Sequence, residues 1–156
     1  MSDEFDAIED DEDELDHFVD AQETVWDSVR AELEAGEKRT HWIWFVFPVL
    51  TGIGESPMAM FYSLRDADEA RDFAGHPQLG PRLVESFRLI LDHDASAEAI
   101  LGDTDAYKLR ACATLFEEAV PHQPIFAKAL EQKFAGQRCT KTQRILRTPV
   151  EPLFDD

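Results

Sequence analysis

Apolar residues recur at three- and four-residue steps along most of this chain, and capping residues punctuate them. Leu15, Phe18, Val19, Gln22, Trp26, Val29 and Leu33 make one stripe. It predicts an amphipathic helix over roughly residues 14–35, stopped by Gly36. Ser56 before Pro57 reads as an N-cap with proline in the first helical position, and Met58, Phe61 and Tyr62 follow. The run "DADE" reads as a capping box, with Asp66 as the cap and Glu69 reaching back, for a short helix that ends near Gly75. Gly80-Pro81 opens a helix striped by Leu83, Phe87, Ile90 and Leu91. Ser96 caps a single turn ending at Gly102, and Thr104 caps a helix striped by Leu109, Cys112, Phe116 and Ala119. Pro124 starts the next, which Gly136 closes, and Thr140 caps a last helix over roughly 141–147 before Pro149 and Pro152.

One segment resists this reading. "HWIWFVF", from His41 to Phe47, is apolar on every side, so periodicity cannot separate a buried strand from a buried helix. With helices on both sides and no partner strand in view, about two turns of buried helix is the expectation. No repeat and no clean two-residue alternation occurs. The fold expected is all-α, a single compact multi-helical domain over residues 14–148 with about seven or eight helices. A disordered acidic tail over residues 1–13 and a C-terminal tail over 149–156 flank it.

Charge sharpens the picture at the ends. The net charge is −18, and residues 1–36 hold fifteen acids against one base, Arg30. From Lys128 to Arg147 the sign reverses, with six Lys/Arg against Glu131 alone. The acidic start reads as a solubilising tail, as a segment folded back on the basic third, or as salt adaptation, consistent with 5 Lys against 10 Arg. Each argues against nucleic acid as the main partner, because a phosphate backbone would be repelled. No apolar run is long enough to span a membrane, and the first residues are not a secretory signal. Two cysteines, Cys112 and Cys139, without Cys-x-x-Cys spacing, make neither a disulfide framework nor a metal knuckle and fit a reducing cytoplasm.

The stretches "KRTHWIWFVFP" (Lys38–Pro48), "GIGESPM" (Gly52–Met58), "HPQLGPRL" (His76–Leu83), "DAYKL" (Asp105–Leu109) and "TLF" (Thr114–Phe116) share an order. With Tyr62, Glu69-Ala70 and Leu101-Gly102, they resemble the DUF1810 family over about residues 14–136. The resemblance implies a compact, multi-helical domain from an uncharacterised group. Some members carry a "calpastatin" label, but this chain has none of the long disordered repeats of those inhibitors. It departs from the family pattern at Val49, where glutamine is usual, and at Ala111-Cys112, where serines are common. If those residues line a pocket in relatives, this pocket is more apolar.

The candidate chemistry gathers around the first of those stretches. "TGIGESP" is a glycine turn entering a helix start, an arrangement that suits anions but lacks the ending of a phosphate loop. The plain alternative is a tight turn into a capped helix. Lys38 and His41 precede Trp42 and Trp44, so cations stand beside stacking surface. Arg82 in a helix's first turn opposes the helix dipole, which points to a carboxylate or other anionic partner, within the protein or outside it. Lys108 and Asp105 belong to the family-like pattern. The expected ligand site is Lys38, His41, Trp42, Trp44, Gly52, Gly54, Ser56, Tyr62, Arg82 and Lys108, with His41, His76 and Tyr62 as candidate proton-transfer groups. No histidine pair stands at metal-binding spacing, and no cofactor motif is present. The expected function is a cytoplasmic protein that binds a small anionic or nucleotide-like metabolite. The alternative is a non-catalytic module docking a basic partner through its acidic start.

Overall fold

Why these residues make helices is clearest where side chains close the ends. In the computed structural model, Ser56 Oγ accepts from the Ala59 amide at 3.1 Å, Asp66 Oδ1 from Glu69 at 2.9 Å, and Ser96 Oγ from Ala99 at 3.0 Å. These caps start α3 (Pro57–Phe61), α4 (Ala67–Gly75) and α6 (Ala97–Leu101). The described residues hold six further helices: α1 (Ser2–Ala35), α2 (Ile43–Val46), α5 (Leu79–Leu91), α7 (Asp103–Ala119), α8 (Ile125–Phe134) and α9 (Thr140–Arg147). The structure describes residues 14–148 with their side chains and residues 2–13 as backbone alone. Of the tails expected over 1–13 and 149–156, residues 2–13 continue the α1 backbone, and residue 1 and residues 149–156 lie outside the described residues. Among them no helix is long and apolar enough to cross a membrane.

The central element is α7. Its residues Ala111 to Phe116 are all buried, as expected of a helix enclosed on every side. Helices α4, α6, α8 and α9 pack around it, while α5 leans on α4 and α8 and carries α1. The alanines at 111 and 113 let neighbours come close, and phenylalanines fill the remaining space. Phe18, Phe73, Phe116, Phe126, Phe87, Phe47 and Trp42 run as one unbroken aromatic chain, with centroids 5.1 to 6.2 Å apart. It links α1, α4, α5, α7 and α8 to the two residues that flank α2, through edge-on, tilted and stacked contacts. Gly80 lies where α5 crosses α4. A Cβ there would stand 2.1 Å from the Ala74 carbonyl oxygen, so this crossing requires glycine.

Four local expectations need correction. The buried segment after His41 makes one helical turn, α2, not two. The chain then extends, and Val49 to Thr51 pairs with Leu64 through Leu64 N to Val49 O at 2.9 Å and Thr51 N to Leu64 O at 2.8 Å. The backbone partner that the sequence did not reveal is the short loop after α3. Helix α5 begins at Leu79, ahead of Gly80-Pro81, because the His76 imidazole accepts from the Gln78 and Leu79 amides. Helix α7 begins at Asp103 directly after Gly102, with no Thr104 cap. Cys139, not Thr140, is the residue before α9.

Candidate functional site

The expected site residues divide into separate groups. Lys38 is held inside the protein: its ammonium pairs with Asp105 at 3.0 Å, lies 5.1 Å from the Trp42 ring, and its side chain is 8% exposed. Trp42 is buried and donates its indole N–H to Glu32 at 2.8 Å. The same carboxylate accepts from the Arg39 amide, the Thr40 amide and the Thr40 hydroxyl. Burial works against its charge, but those donors outweigh it and hold the Glu32 pKa at about 2. His41 is exposed at the edge of this latch. Trp44 is half-buried, with the Lys108 ammonium 5.6 Å from its ring and its own indole N–H unpartnered.

The glycine turn is a second group. Gly52 has a φ of +103°, and a Cβ on Gly54 would meet the Ala59 methyl at 2.7 Å. Ser56 is occupied as the cap of the five-residue α3. Tyr62 stacks with His17 of α1 and packs on Phe45. Arg82 has its anionic partner within the protein, Glu23 at 2.9 Å, and lies over Trp26 at 5.1 Å. His76 sits apart as the cap of α5. No group of three His, Cys, Asp or Glu side chains among the described residues is placed to hold a metal.

None of these residues lines the four principal clefts, of about 330 to 550 Å³. A groove with mostly apolar surface lies between Leu50, Ile145 and Leu146, with Arg65, Asp66, Asp68, Arg144 and Thr148 also lining it. The cleft of about 550 Å³ between α7 and the start of α9 differs in its chemistry. Tyr107, Arg110, Gln137, Arg138, Cys139, Thr140 and Gln143 line it. Tyr107 and Arg110 stand one turn apart on α7, so they share a face. The Cys139 amide donates to Thr114 Oγ1 at 2.9 Å, which pins the start of α9 against α7. Arg138 bonds Glu117 through both Nε and Nη2, at 3.1 and 2.6 Å, and donates to the Gly136 carbonyl, fixing the turn between α8 and α9.

Three arginines among the described residues are half-buried: Arg82, Arg110 and Arg138. The first and last pair with glutamates, whereas Arg110 pairs with no described carboxylate. Its guanidinium lies 5.6 Å from the Tyr107 ring and 5.9 Å from the Phe134 ring, and its Nε is buried without a hydrogen-bond partner. Opposite it, α9 has no acid in its first turn, so the partial positive charge of its start is not neutralised. The Tyr107 hydroxyl and the Cys139 sulfur are 3.5 Å apart. Burial pushes the Cys139 thiol up. The Thr142 hydroxyl, the Tyr107 hydroxyl and the amides of Thr142 and Lys141 pull it down by more, so its pKa falls below the usual value. The sulfur caps no amide at hydrogen-bonding geometry, so those amides act as partial charge. Tyr107 moves the other way, to about 12, chiefly because its hydroxyl bonds to Cys139.

Residue reading missed Tyr107, Arg110 and Cys139. The signal that pointed there was the basic run from Lys128 to Arg147, which contributes Arg138 to the lining. The crystal structure of the conserved hypothetical protein Rv1873 from Mycobacterium tuberculosis is similar to this chain, with 40% identity and a TM-score of 0.85. The match covers 86% of this chain and 97% of that one. No curated protein matches. The family model for DUF1810, described as a protein of unknown function, matches residues 12–146, both walls of the cleft included, and the chain belongs to that family.

Proposed function

We propose that this is a cytoplasmic protein that binds a small anionic or nucleotide-like metabolite, and that the cleft between α7 and the start of α9 receives it. The observation that carries the reading is Arg110. In a chain with 33 acids and 15 Lys/Arg, a half-buried guanidinium lining a cleft without a described carboxylate is the exception. A ligand oxygen would satisfy its buried Nε and complement the unneutralised start of α9. Gln137 and Gln143 add neutral donors at the rim, suited to an oxygen-rich molecule.

The test is thermal unfolding of the full chain at low ionic strength, with phosphate, pyrophosphate, sugar phosphates, mononucleotides and small dicarboxylates. A ligand at a hundred times its Kd stabilises the native state by about 2.7 kcal/mol, which is readily measured. At least one anion is expected to raise Tm, and Arg110→Gln is expected to remove the shift while leaving the unliganded Tm within about 2 °C. A flat response across the panel at saturating concentration refutes the reading, as does a shift that Arg110→Gln leaves intact.

A further inference from the structure

We infer, resting on the anion-site reading above, that the ligand of the cleft between α7 and α9 is a nucleoside monophosphate, its phosphate on Arg110 and its base stacked on Tyr107. The charges in the lining set the number of phosphates. Two arginines line the cleft, Arg110 and Arg138, with no lysine and no carboxylate beside them. Arg138 is already compensated, by Glu117 at 2.6 Å and Glu131 at 3.4 Å. Arg110 is the one cation of the lining without a described carboxylate, and it matches one phosphate. A second or third phosphate would find no free cation in the lining and would face the carboxylates behind Arg138, where like charges repel.

The walls set what the phosphate is attached to. Tyr107 is 37% exposed, one of four large apolar side chains so exposed among the described residues. The other three, Met58, Met60 and Phe61, belong to α3 and do not line this cleft. The Tyr107 ring is held at two points, by the Arg110 guanidinium 5.6 Å from its centroid and by its hydroxyl 3.5 Å from the Cys139 sulfur. Its plane is therefore set before a ligand arrives. An exposed, pre-oriented ring beside a guanidinium is a platform for a flat heterocycle. Arg110 stands one turn further along α7, so a phosphate on its guanidinium brings the sugar beside the ring and the base over it. Across from α7, Gln137, Thr140 and Gln143 offer amide and hydroxyl groups that both donate and accept, as the edges of a base and a ribose do. A volume of about 550 Å³ suits a molecule of that size. Inorganic phosphate or a small dicarboxylate would leave the ring bare and those groups unused.

The test is calorimetric titration of the full chain at low ionic strength with the common nucleoside monophosphates, ribose 5-phosphate and a nucleoside triphosphate. The tightest monophosphate is expected to bind about 5-fold to 150-fold more tightly than ribose 5-phosphate, the increment that stacking one base on an aromatic ring supplies. Tyr107→Leu should erase that ratio and leave the affinity for ribose 5-phosphate unchanged, whereas Tyr107→Phe, which keeps the ring, should retain the ratio. The triphosphate should bind no more tightly than the monophosphate. Equal affinity for nucleotide and ribose 5-phosphate overturns the inference, and so does a ratio that survives Tyr107→Leu or a triphosphate that binds best. In each of those cases the anion-site reading still stands if Arg110→Gln abolishes the binding of ribose 5-phosphate. Silence from every ligand overturns both.

Discussion

Replacing Glu32 by alanine takes four donors away from one carboxylate, and their positions set the cost. The Trp42 indole N–H lies on a residue that is 1% exposed, so losing its acceptor strands a buried donor, which costs about 1–3 kcal/mol. Arg39 and Thr40 are exposed, and water takes over their amides and the hydroxyl, so those three charge-assisted bonds add only about 1 kcal/mol together. Glu32→Ala is therefore expected to cost about 2–4 kcal/mol and to lower Tm by roughly 5–15 °C for a chain of this size. Thermal unfolding followed by far-UV circular dichroism at pH 7 measures it, and a drop below about 2 °C would refute the latch. Acid provides a second check. The folded carboxyl titrates at about 2 and the unfolded one near 4.5. Its stabilisation is thus fully present above pH 4.5 and is lost as pH falls through the folded value. The stability gap between the wild type and Glu32→Gln should close between pH 4.5 and 2. Dilute protein is needed, because the isoelectric point of about 4.5 falls at the edge of that window.

Gly80→Ala places a Cβ against the Ala74 carbonyl and forces α4 and α5 apart; urea unfolding should show a loss of about 3 kcal/mol, and a neutral result would mean the helices can separate freely. Phe116→Ala cuts the aromatic chain at its junction on α7, with an expected cost of about 3–5 kcal/mol in the same assay; a loss below about 2 kcal/mol would show that the cavity collapses.

The helices were legible because their signals are local. Ser56, Asp66 and Ser96 each satisfy an amide three residues on, and the stripe from Leu15 to Leu33 needs only helical periodicity to be seen. The turn after α2 was not legible, since the partner of Val49 and Thr51 is a loop residue, Leu64, with no pattern of its own. Glu32 sits among ordinary acids on α1, and only the chain reversal at Gly36 brings Arg39 to Trp42 back over it. The cleft was half visible. Tyr107 and Arg110 are one turn apart, but Cys139 lies 32 residues beyond Tyr107 and arrives there because α8 doubles back. Lys38, by contrast, drew attention as a cation beside tryptophan and Arg82 as one in need of an anionic partner, and both have carboxylate partners within the chain, Asp105 and Glu23. A cation's vacancy is a fact about three dimensions.

The way α1 is fastened has a consequence for how the chain is made. Its polar fastenings come from elsewhere in the sequence: Gln22 to the Phe45 carbonyl, Glu23 to Arg82, and the Leu33 carbonyl to His93. The last two partners are synthesised about sixty residues after the groups they hold. At about 5–20 residues per second, that leaves the first helix waiting roughly 3–12 s for its docking surface. Throughout that interval Phe18, Val29 and Leu33 are bare, on a nascent segment whose first 36 residues carry fifteen acids and one base. Mutual repulsion between neighbouring nascent chains would keep those stripes from meeting one another before α5 arrives. The acidity of the opening segment then serves the unfinished molecule, whatever it does for the finished one.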